Sequence, residues 1–132
     1  MKTFSLVLAT LFAVASFTAC KKDDEVAKPV ATIEGKWEGK YSFGNGPADK
    51  YFGFLVKDGG VFEEISSSGS KIGEGTWHFE NQILMANYTR IAAPNTEYSI
   101  IGAFDKNQGE IAGTWGFEES NSDGGYIYMN KK

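Results

Sequence analysis

From Ile33 to Lys132 the chain alternates apolar and polar residues at a period of two, and no stretch sustains the 3.6-residue period of an amphipathic helix. The segment 36–43 sets the pattern. Trp37, Gly39, Tyr41 and Phe43 fall on one side and Lys36, Glu38, Lys40 and Ser42 on the other, as in a half-buried strand. YFGFLV (51–56), VFEEIS (61–66), IGEGTWHFE (72–80), ILMANYTRI (83–91), EYSIIGAF (97–104), EIAGTWGFE (110–118) and GYIYMNK (125–131) read as further strands. Between them lie GNGPAD, KDGG, SSGS, the pair Asn81–Gln82, AAPNT, DKNQG and ESNSDG, segments with the turn chemistry that hairpins need.

Eight strands with short connections predict an all-β, up-and-down antiparallel topology. Closing the sheet into an eight-stranded barrel removes its exposed edges, and at that strand number the interior is filled by side chains or holds one small ligand. A two-sheet β-sandwich is the alternative.

Three segments echo one another: IEGKWEG, GEGTWHFE and IAGTWGFE each carry Gly, one residue, then Trp. Residues two apart in a strand share a face, so Gly35, Gly75 and Gly113 leave room beside Trp37, Trp77 and Trp115, and their missing Cβ permits a sharp bend. The tryptophans are then either packing anchors that close the barrel or the walls of a pocket.

A two-residue turn at Asn81–Gln82 fixes a register in which Phe79 faces Leu84, Trp77 faces Ala86, Tyr88 faces Gly75 and Arg90 faces Gly73, with Tyr88 and Arg90 inward. Arg90 is the only arginine in the chain. Its position suits stacking on a tryptophan at a barrel end, or pairing with the carboxylate of a bound ligand. Catalytic chemistry has little support. The one histidine, His78, points outward between Trp77 and Phe79, and no Cys/His cluster surrounds it to hold a metal. Glu63–Glu64 and Glu118–Glu119 are neighbours in strands, which sends their carboxylates to opposite faces. YFGFLV and YSIIGAF are apolar on both faces, which predicts either a sticky outer wall or local cover by a loop or linker.

Residues 33–132 hold nine basic and 14 acidic side chains, a balance that argues against nucleic acid as a partner. No cysteine remains there to staple the fold, so an aromatic-rich core must hold it.

The N-terminus differs in kind. A short positive start, the apolar run TFSLVLATLFAVASFTA and small residues before Cys20 have the layout of a secretory signal peptide over residues 1–19. Thr18 and Ala19 before Cys20 resemble the lipobox of bacterial lipoproteins, which implies cleavage before Cys20, with diacylglycerol on its thiol and an acyl group on its new amine. No other cofactor is implied. Lys21, Lys22, Asp23, Asp24 and Glu25 resemble the lysine-plus-acidic signal that sends some Gram-negative lipoproteins to the cell surface. Residues 20–32 thus read as a lipidated, flexible linker to the outer membrane, and 33–132 as the domain.

Gly-x-Trp on the first strand of a small barrel, here GKW (35–37), resembles the calycins, meaning lipocalins and avidin-like proteins, and the lipocalin-like domains of bacterial lipoproteins. Together with the aromatic inner face, the resemblance predicts a barrel that binds a small apolar or amphiphilic molecule and is not an enzyme, and the inward Trp37, Tyr41, Trp77, Tyr88, Arg90 and Trp115 are the expected lining. The alternative is an envelope protein-interaction or inhibitor module with a filled barrel.

Overall fold

The structure, a computed structural model, describes residues 30–132. The signal peptide, Cys20, the charged run 21–25 and most of the linker lie outside the described residues.

Eight antiparallel strands form one closed barrel in sequence order: β1 (Gly35–Tyr41), β2 (Lys50–Lys57), β3 (Val61–Ile65), β4 (Lys71–Glu80), β5 (Ile83–Arg90), β6 (Ala93–Asp105), β7 (Glu110–Phe117) and β8 (Gly125–Lys131). Strand β8 pairs back onto β1, with Gly39 opposite Met129, so the sheet has no free edge and the sandwich is excluded. The only helical element among the described residues is a 3-10 turn, Asp58–Gly60.

The register of the β4–β5 hairpin is the expected one. Gly73, Gly75, Trp77 and Phe79 face Arg90, Tyr88, Ala86 and Leu84. Asn81 and Gln82 both have positive φ, 52° and 63°, the turn whose twist matches its flanking strands.

Two boundaries differ from the sequence pattern by more than one residue. Strand β6 begins at Ala93 rather than Glu97, because Ala93 already pairs with Arg90 and the extra residues are absorbed in a bulge before Thr89 meets Glu97. Strand β1 stops at Tyr41. Ser42 is buried rather than on the outer face, and its hydroxyl accepts from the Tyr126 amide at 2.9 Å. Phe43 is thereby carried out of the barrel wall.

The two ends of the barrel differ. At one end, Ile33, Trp37, Leu84, Phe104, Ile111 and Met129 are buried together, with Phe79 packed against them. The chain arrives there: the Ala31 amide bonds to the Lys106 carbonyl at 3.0 Å, so packing begins two residues before the expected start of the domain. Lys131 locks this segment, its ammonium donating to the Thr32 carbonyl at 2.7 Å and to the Glu34 carbonyl while lying 5.2 Å from the Trp37 ring. Burial lowers the Lys131 pKa from its usual value. The other end, where β1, β3, β5 and β7 finish, is open.

Candidate ligand cup

The open end is shaped by what β4 lacks. Glu64 on β3, Gly73 on β4 and Arg90 on β5 form one row across three strands, and Phe62, Gly75 and Tyr88 form the next. In each row a glycine stands between two large inward side chains, which therefore meet over it across two strand spacings, about 9.6 Å. A Cβ at Gly73 would lie 3.1 Å from the Tyr88 ring and 3.2 Å from the Glu64 Cβ. A Cβ at Gly75 would collide with the Asn87 carbonyl, so this position also needs glycine for the bend.

Over Gly73 the Arg90 guanidinium grips the Glu64 carboxylate in a two-pronged pair: Nε donates to Oε2 at 2.9 Å and Nη2 to Oε1 at 2.8 Å. Glu64 is only 3% exposed. Arg90 reaches toward the mouth and lies 4.9 Å from the centre of the Tyr98 ring. The bond to Glu64 raises the Arg90 pKa further above its usual value, so the guanidinium stays charged. Burial, and then the charge on Glu64, push the Tyr88 phenol well above its usual pKa.

Over Gly75 the rings of Phe62 and Tyr88 approach to 5.2 Å. They belong to a closed circuit of aromatic side chains: Phe52, Phe54, Phe62, Tyr88, Tyr98, Trp115 and Tyr41, returning to Phe52. Successive ring centres are 4.9 to 6.3 Å apart. This girdle surrounds a cup of about 100 Å³, with Arg90 on its wall, Ile127 beside it, and Phe43 and Phe117 at its lip. Those two lip residues are 56% and 41% exposed.

Four of the residues singled out from sequence meet here: Tyr41, Tyr88, Arg90 and Trp115. Trp37 and Trp77 do not. Trp37 is fully buried at the closed end, its indole N–H bonded to the Ile33 carbonyl at 2.8 Å and its ring edge-on to Phe104. Trp77 donates to the Lys57 carbonyl at 2.7 Å, and Trp115 to the Ser42 carbonyl at 2.9 Å. Trp37 thus ties β1 to the incoming segment, and Trp77 and Trp115 tie their strands to the ends of β2 and β1, so all three tryptophans are anchors and only Trp115 also forms wall. The room beside Gly75 is taken by Phe62 and Tyr88 rather than by Trp77.

Arg90 does not stack on a tryptophan. It ends β5 at the open end, and the cation over Trp37 is Lys131 of β8. Its carboxylate partner is the protein's own Glu64. That residue was missed, although parity with Phe62 places it inward; Glu63 faces out to Lys57 and Lys71. Tyr98 was hidden by the β5–β6 bulge, since its place opposite Tyr88 follows only from the true register. Phe52 and Phe117 share faces with Phe54 and Trp115, and that parity was the available signal. His78 is on the exposed outer wall, 3.4 Å from Glu80.

The doubly apolar strands are covered in part. Ser99 is buried under the 118–124 loop, where its hydroxyl meets the Glu118 carbonyl and lies 2.7 Å from the Asn87 side-chain amide, and Ile101 lies between Met85 and Thr114. Among the described residues no three His, Cys, Asp or Glu side chains are grouped to hold a metal ion, and no helix is long and apolar enough to cross a membrane. Comparison of the chain with protein-family models, with curated proteins and with solved structures finds no match.

Proposed function

We propose that this chain is a lipid-anchored, surface-exposed bacterial lipoprotein whose barrel binds the apolar end of a small amphiphilic molecule. The carrying observation is the girdled cup, apolar on most of its wall and provided with one oriented cation. Glu64 occupies Nε and one edge of Nη2, while Nη1 makes no hydrogen bond among the described residues, so Arg90 keeps N–H donors for an anionic or carbonyl group of the ligand. A pocket that encloses a whole drug-sized molecule measures about 300 Å³ or more. The cup is about a third of that, which favours a ring or short acyl end held inside while the rest passes between Phe43 and Phe117.

The anchor fits this arrangement. Cys20 precedes Ala31 by 11 residues, a tether of at most about 40 Å, and the chain joins the barrel at the closed end. The tether then enters at the end opposite the cup and leaves its mouth clear for ligands from the medium. Cys20→Ser should abolish fatty-acid labelling, and labelling that persists overturns the anchor.

For the cup, the probe is 1-anilinonaphthalene-8-sulfonate, with phenylacetate and hexanoate as smaller competitors. Saturable binding, weakened about tenfold or more by Tyr98→Ala, a loss near 1.4 kcal/mol, is expected, with Trp37→Phe unaffected. Binding that ignores Tyr98 overturns the reading. The exposed Phe43 and Phe117 favour a second one, an interaction module whose apolar lip takes up a side chain of an envelope protein. Cross-linking at Phe43 on intact cells that recovers no protein counts against it.

A further inference from the structure

The outer wall carries a second surface, separate from the cup and from its ligand. On β2, Tyr51 points outward, and the next outward position, Gly53, has no side chain. A Cβ at Gly53 would collide with the Tyr51 hydroxyl and lie 3.0 Å from its Cζ and 3.1 Å from Ile65. The phenol therefore lies down along the sheet over Gly53, and its hydroxyl reaches Glu38 on β1 at 3.4 Å. Its tip thus rests against the sheet while the rest of the side chain is left to solvent in part, and Tyr51 is 39% exposed.

Tyr51, Lys40 and Tyr128 form one row across β2, β1 and β8, which sets the two tyrosines about 9.6 Å apart at their backbones. Tyr128 is 52% exposed. In the adjoining row Glu38 faces Asn130. With Lys132 these residues line an open groove of about 390 Å³. Its charge runs against that of the molecule. Lys36 lies 2.9 Å and Lys132 3.8 Å from the single carboxylate of Glu38, and Lys40 is free of any ion pair among the described residues. Three lysines beside one glutamate on this part of the wall make a basic patch on a domain with 14 acidic and nine basic residues.

We propose that this groove binds a chain of acidic sugars. A pyranose has an apolar C–H face and a rim of hydroxyls, so the exposed phenols of Tyr51 and Tyr128 take the face while Glu38, which accepts hydrogen bonds, and Asn130, which accepts and donates them, take the rim. The spacing of the tyrosines exceeds one sugar unit and suits an extended chain laid across the strands. Lys40 and Lys132 answer its carboxylates. Single-stranded nucleic acid also stacks on aromatic rings, but Glu38 in the middle of the platform and the acidic balance of the domain oppose a continuous phosphate backbone.

The test is affinity electrophoresis and calorimetry of the purified chain with polygalacturonate, beside neutral dextran and a deoxythymidine oligonucleotide. Polygalacturonate should bind saturably. Tyr128→Ala and Lys40→Glu should each weaken it about tenfold or more, a loss near 1.4 kcal/mol, and dextran should bind at least as much more weakly. Tyr128→Phe, which keeps the ring, should retain binding, and Phe117→Ala at the cup's lip should leave it unchanged. Absence of binding, indifference to Tyr128→Ala, equal binding of dextran, or tighter binding of the oligonucleotide each overturns the proposal.

Discussion

The two ends of this barrel use similar residues to opposite effect. Both hold a tryptophan whose indole N–H is spent on a backbone carbonyl, and both hold a cation near an aromatic ring. At the closed end Trp37, Phe104 and Phe79 fill the bore, and Lys131 lies outside them, binding the incoming chain rather than entering the core. At the open end the cation is inside. The Arg90–Glu64 pair joins β5 to β3 over Gly73 of β4, and a girdle of rings encloses a cup where the closed end has solid packing. The difference is one of side-chain volume: glycines at 73 and 75 and a polar pair remove apolar bulk from one end. Stability should therefore be concentrated at the closed end and binding at the open one.

The largest test of that division is Trp37→Ala. Removal of a fully buried aromatic should cost about 3 to 5 kcal/mol, whereas Phe43→Ala at the lip should change stability by no more than about 0.5 kcal/mol. Urea unfolding of both variants gives the comparison directly. Similar losses at the two sites would mean that the ends share the load.

Next in size is the polar pair. Arg90→Ala leaves Glu64 buried without its partner and should cost about 3 kcal/mol, the lower end for a broken buried pair because water can enter from the mouth. Replacing both members, Glu64→Leu with Arg90→Met, should return the protein to within about 1 kcal/mol of its original stability, since apolar groups of like volume often replace a buried pair without loss. The double variant should also bind an anionic probe more weakly than the parent. A double variant as unstable as Arg90→Ala would make the pair a structural element and blur the contrast between the ends.

Fold and site were legible in the sequence to different depths. Strand alternation is a local signal, and one short turn, Asn81–Gln82, was enough to place Trp77, Tyr88 and Arg90 on the inner face in their true register. The cup depends on three registers at once. Glu64 meets Arg90 only because β3 and β5 both pair with β4 at Gly73, and Tyr98 faces Tyr88 only after a bulge that swallows Pro94, Asn95 and Thr96. Such bulges leave little trace in a hydrophobic pattern, and AAPNT reads as a plain turn. Depth along the bore was also hidden, because parity says which face a residue takes and not which end. Trp37 and Trp115 therefore looked alike, although one lies at the packed end and the other forms the cup wall.

The finest test concerns how dry the girdle is. The Tyr88 phenol sits between the Phe62 and Tyr98 rings, and burial together with the charge of Glu64 holds its pKa well above the ordinary value near 10. Below pH 10 the phenol is protonated in both folded and unfolded chains, and it contributes no pH dependence. Above pH 10 the unfolded chain releases this proton while the folded chain keeps it. The folded state then binds more protons, so stability falls as pH rises, by at most about 1.4 kcal/mol per pH unit. Tyr88→Phe removes this loss. The variant should be less stable than the parent at pH 8, having lost the hydroxyl beside Glu64, and its urea midpoint should decline less steeply between pH 10 and 11. Tyr51, whose pKa burial also raises, is present in both proteins and cancels from the difference. Parallel curves would mean that the Tyr88 phenol ionises as freely in the cup as in water, and that the open end is wet down to its aromatic girdle.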